Sequence, residues 1–140
     1  MIKLNMLFAT FTALTITLAV PVLADATPVT ANQASTLQNT VMSGLNFAAS
    51  AKLAVSETYL MTGQWPESNE AIGFHTPADS PATITVGKQG IVTVTYTKPD
   101  ALSGKSLVLT PSAGGEGIIN WSCKTAGVPV KYLPVHCQKP

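Results

Sequence analysis

Ten prolines punctuate the 140-residue chain, and they leave one long interval open. No proline falls between Pro28 and Pro66. Inside that interval, Leu37–Leu60 carries apolar residues at helical spacing. Leu37, Val41, Leu45, Ala48, Val55 and Tyr59 follow at steps of three and four, with one gap of seven. That period places them on one face of a helix. Lys52 fills the gap, and its stem can lie along an apolar stripe while the ammonium reaches water. Asn39, Ser43, Asn46, Ser50 and Glu57 gather on the opposite side. Ser35-Thr36-Leu37-Gln38 has the form of a capping box, which predicts the start. Gly63 supplies a left-handed stop, and Pro66 prevents the helix from resuming. A helix of this length spans about 35–40 Å.

The apolar arc is wider than one stripe. Met42, Ala49, Leu53 and Leu60 broaden it, while Phe47, Ala54 and Met61 form another flank. Two readings of that second flank stand side by side. Either the rest of the chain covers it, or Phe47, Ala54 and Met61 are a subunit-contact face.

Short strands follow the helix. Glu67–Ala82 is a polar loop, tacked down by Ile72 and Phe74. Ile84–Val86 is β-branched, and Gly87–Gly90 makes a turn. Ile91–Tyr96 alternates, with Val92, Val94 and Tyr96 on one face. Ser106–Thr110 and Ile118–Cys123 read as two more strands, separated by a Gly-rich turn at Pro111–Gly117. Short connections favour an antiparallel meander over parallel crossovers. A sheet with one apolar face must bury it, and the long helix is the available partner. The predicted class is α+β: one long helix packed on a four-stranded antiparallel β-meander.

The front of the chain has another character. Met1–Ala24 carries one charge, Lys3, before an apolar run, and Pro21 precedes Val22-Leu23-Ala24. That pattern predicts a secretory signal peptide over 1–24, cleaved between Ala24 and Asp25, with Ala24-Asp25-Ala26 as a second candidate site. Residues 25–35 read as a flexible leader, and 36–140 as one globular domain. Export together with two cysteines points to an oxidising compartment and one disulfide, Cys123–Cys137. The alternative, a reactive pair, lacks Cys-x-x-Cys spacing. All 8 basic residues are lysines and the net charge is +1. Clustered cationic charge is missing, which argues against a nucleic-acid partner. His75 and His136 lack metal-ligand spacing, and no nucleophile is marked by a base with an orienting partner. The chain reads as no enzyme, with no cofactor and no metal.

Several of these stretches resemble the globular head of type IV pilins. Lys52-Leu-Ala-Val55-Ser-Glu57 followed by Gly63-Gln-Trp65-Pro66 is similar to the end of the pilin helix and the turn after it. Gly104-Lys105-Ser-Leu107-Val-Leu109-Thr-Pro111 resembles a middle strand. Gly117-Ile118-Ile-Asn-Trp121-Ser-Cys123, then Lys131-Tyr132-Leu133-Pro134 and Cys137, resembles the last strand and the family's disulfide-bounded loop. The order is the family's order, and the resemblance covers Val41 to Cys137. It implies a pilus subunit or accessory, with pilins or pilus-assembly proteins as partners. It also places receptor contact on the loop, at Lys124, Thr125, Val128, Lys131, Tyr132 and His136. One departure stands out: the Gly-Phe-Thr-Leu-Ile-Glu type processing motif is absent, and Pro28 separates the front from the helix. An exported binding module with a pilin head that does not polymerise, recognising a surface or host receptor, is the alternative; a DNA-uptake pilin is a third reading. The expected location is periplasmic, extracellular or pilus-associated, with membrane attachment only if residues 1–24 are retained.

Overall fold

The computed structural model describes residues 30–139. The signal-peptide reading, the Ala24–Asp25 cleavage and leader residues 25–29 lie outside the described residues. One helix, α1 (Ala31–Thr62), precedes four strands: β1 (Ala82–Val86), β2 (Val92–Tyr96), β3 (Ser106–Ala113) and β4 (Ile119–Ala126). The sheet order is β1-β2-β3-β4, antiparallel throughout. The predicted class holds.

The helix starts earlier than the sequence expectation. Thr30 is its N-cap: the Thr30 Oγ1 accepts from the Gln33 backbone N–H, and the Gln33 side chain accepts from the Thr30 N–H. Ser35 and Thr36, placed at the boundary by their hydroxyls, instead donate back to the Asn32 carbonyl oxygen at 2.9 Å each. Residues 31–35 are therefore helix, not flexible leader. Thr30-Ala-Asn-Gln33 has the same hydroxyl-to-Gln spacing as Ser35-x-x-Gln38, so two boxes competed and the earlier one prevailed, with no helix breaker between them. The 32-residue helix is about 48 Å long. Its far end agrees with expectation: Gly63 adopts φ 73° and donates its N–H to the Tyr59 carbonyl at 2.7 Å.

The buried face of α1 is Leu37, Val41, Gly44, Ala48, Ala51 and Val55. It is narrower in side chain and closer to the sheet than the apolar stripe alone indicates, because Gly44 and Ala51 join it. Facing it, the inward rows of the sheet run across the strands: Val86, Val92, Leu109 and Cys123, then Ile84, Val94 and Leu107. The outward row carries Thr83, Thr85, Thr93, Thr95 and Lys124. This alternation is the inside-outside signature of a half-buried sheet. Ile72, Phe74 and Trp65 pack partly buried against the same core.

Strand ends differ from the sequence reading. β3 continues through Pro111 to Ala113, where a turn is expected, and β4 runs on to Ala126. Pro111 pairs with Trp121 beyond the last β2–β3 pair, Val92 with Leu109. Proline is tolerated there because the strand has one neighbour left.

The outer edge of β1 is closed by side chains. Asn69 Oδ1 accepts from the Val86 N–H at 2.6 Å, and its Nδ2 donates to the Ile84 carbonyl at 2.9 Å. Thr76 Oγ1 accepts from the Ile84 N–H and donates to the Ile84 carbonyl. Ser80 does the same for Ala82. The polar loop thus works as a substitute strand, blocking edge-to-edge pairing.

Candidate interaction surface

Three surfaces surround the C-terminal half of the fold. The first is the disulfide loop. Cys123 and Cys137 are bonded, which ties the tail to β4. The loop is less open than a receptor-contacting loop would be. Val128 is 2 % exposed and Tyr132 4 % exposed, and Leu133 is buried with them. These two are corrections: both are core residues, because a short loop held at each end has little else to bury. Lys124, Thr125, Lys131 and His136 stay exposed. Thr125 donates its hydroxyl to the Val128 carbonyl at 2.7 Å, and Lys131 Nζ lies 4.9 Å from the Tyr132 ring centroid. Val130 and Val135 are exposed apolar residues on this loop; nothing in their spacing marks them.

The second surface is the outer side of α1. Of the flank Phe47, Ala54 and Met61, Phe47 packs against the core and Ala54 is half-buried. Only Met61 of the three is open, at 85 % exposure. The exposed apolar row is instead Met42, Ala49, Leu53 and Leu60. Their steps of seven, four and seven keep them in line along a helix. Leu53 is 60 % exposed and Leu60 55 %. The β3–β4 turn extends the row: a Cβ built on Gly117 would lie 3.8 Å from Leu60 Cδ2, and neighbouring Ile118 is exposed.

The third surface is a groove between α1 and β4. Lys52 Nζ stands 5.1 Å from the Trp121 ring centroid, a cation–π distance. Leu45, Asn46 and Ala49 line it from the helix, Leu109, Ser122 and Cys123 from the sheet, and His136 from the loop; its volume is about 190 Å³. Burial lowers the Lys52 pKa, since the groove withdraws water from its ammonium.

A family model described as pilin, a bacterial filament protein, matches residues 38–138. The chain belongs to the pilin family. The match takes in most of α1, all four strands and the disulfide. No curated protein matches the chain. As a pilin it is a structural protein, with other pilin subunits as the implied partners and the cell surface or the pilus as the implied location. Among the described residues of the pilin, no group of His, Cys, Asp and Glu is placed to hold a metal ion. None of its described helices is long and apolar enough to cross a membrane. The sequence treats Lys52 as a gap-filler; its groove with Trp121 is a tertiary feature, built by residues far apart in the chain.

Proposed function

We propose that this pilin is a subunit or accessory of a type IV pilus, exported to the periplasm or cell surface and acting through packing and surface contacts. The observation that carries the reading is the exposed row Met42, Ala49, Leu53 and Leu60 on a helix whose opposite face is covered by the sheet and the C-terminal tail. Aligned exposed leucines and methionines on a sparsely charged protein mark a contact surface. A neighbouring subunit is the partner that family membership supplies. Adhesion through the exposed part of the disulfide loop, Lys124, Thr125, Lys131 and His136, belongs to the same proposal. The test is to shear pili from cells and probe the filament fraction for this chain. Recovery with the filaments is expected. Recovery solely as soluble exported protein, with no binding to any pilin, would support the non-polymerising binding module instead.

A further inference from the structure

The groove beside Lys52 has a chemistry that subunit packing does not explain. No aspartate or glutamate lines it. Lys52 is half-buried there, and its close contact is the face of Trp121. An indole face attracts an ammonium but leaves three N–H donors without a strong acceptor. Partial burial of a charge without a counter-ion is unfavourable, so an anion that enters the groove offsets part of that cost. Ser122 turns its hydroxyl to the Thr110 carbonyl on the far face of the sheet, leaving the Asn46 and His136 side chains around the same space. Their amide and imidazole groups offer hydrogen-bonding atoms suited to hydroxyl groups. Trp121 and Leu109 supply apolar wall for a ring. The volume of about 190 Å³ is below the range of about 300–1,000 Å³ typical of drug-sized ligands. The occupant is therefore one small ring, not an extended chain.

We propose that this groove binds a single hexuronic acid residue, its carboxylate on Lys52, its ring against Trp121 and its hydroxyls toward Asn46 and His136. The carboxylate distinguishes this ligand from neutral sugars. The ring hydroxyls distinguish it from an aromatic acid. Every lining residue comes from one copy of the chain, and Ala49 is shared with the exposed row, so a subunit packed on that row would border the groove.

The test uses the purified exported protein and isothermal titration with D-glucuronate, D-glucose and benzoate. Glucuronate is expected to bind at least about tenfold more tightly than glucose, the loss of one charge-assisted contact. It is also expected to bind more tightly than benzoate, and to weaken as salt is raised. Lys52→Gln is expected to reduce glucuronate binding by about tenfold or more and to leave glucose unaffected; Lys98→Gln, on an exposed turn, leaves both unchanged. Tighter binding of digalacturonate than of D-galacturonate assigns the residue to a polymer, and equal binding assigns it to the free acid. Equal affinity for glucuronate and glucose, or for glucuronate and benzoate, overturns the proposal. So does unaltered glucuronate binding in Lys52→Gln, or no binding at all. The comparison of ligands on the unaltered protein stands even if Lys52→Gln folds poorly.

Discussion

Tyr96 rests directly on Gly44. A Cβ on that glycine would lie 2.6 Å from the Tyr96 Cε1 and 2.8 Å from its hydroxyl oxygen. The same hydroxyl donates a 2.7 Å hydrogen bond to the Val41 carbonyl, one turn earlier on the helix. Strand β2 is thus held against α1 by a ring that fits only where the helix has no side chain. Tyr96 is fully buried, so the ring has nowhere to retreat.

Gly44→Ala is expected to destabilise the fold. Alanine in a helix interior gains up to about 1 kcal/mol over glycine, while overpacking a filled core costs about 1–3 kcal/mol. The tethered ring makes the second effect the larger. Thermal melting should show a lower midpoint than the parent; an unchanged or higher midpoint would mean that β2 can move away from the helix.

Stability should depend on alkaline pH through Tyr96. Burial raises its phenol above the ordinary pKa of 10.0. Above that value the unfolded chain gives up this proton first, while the folded chain keeps it. The stabilisation is complete below pH 10 and is lost as pH rises through the folded-state value. Melting midpoints measured from pH 8 upward should fall beyond pH 10, and Tyr96→Phe should flatten that fall at the expense of about 1 kcal/mol at neutral pH.

Asn69→Ala removes both contacts to the β1 edge, the Val86 N–H and the Ile84 carbonyl. The expected loss is about 1–3 kcal/mol in urea denaturation. Asn69→Asp keeps an acceptor for the Val86 N–H but sets a second acceptor against the Ile84 carbonyl, so stability should fall in it too. Amide exchange at Val86 should accelerate more in the alanine variant.

Opening Cys123–Cys137, by reduction or by alanine at both positions, is expected to lower stability by about 3 kcal/mol for a loop of this length. Far-UV circular dichroism should still report α1, since its buried face is filled by β1 and β2 as well as by the tail. Loss of the helix signal would mean that the tail organises the whole fold.

Leu53→Glu and Leu60→Glu should separate assembly from folding. Both side chains are mostly exposed, so monomer stability should shift by no more than about 0.5 kcal/mol. The amount of protein recovered with sheared pili should fall sharply. Unchanged recovery would remove the outer row of α1 from the contact surface.

The sequence alone determined the class of the fold. Helical period and a proline-free interval specify α1, Gly63 its end, and β-branched alternation the inward row Val92, Val94 and Tyr96. Those signals are local, because helix and strand hydrogen bonds and side-chain periods are local. Where α1 begins was less legible, since Thr30 and Ser35 offer equivalent capping boxes a few residues apart. Tertiary structure alone decided which apolar residues stay uncovered. Phe47 and Leu53 look alike in sequence, but the sheet and its loops reach one and not the other. The loop residues Val128 and Tyr132 turned inward for the same reason: a tail pinned at Cys137 must fill the space beneath it. The pairs Gly44–Tyr96, Asn69–Val86 and Lys52–Trp121 exist only once the sheet is laid across the helix. Their geometry depends on where distant segments meet, and no residue period records that.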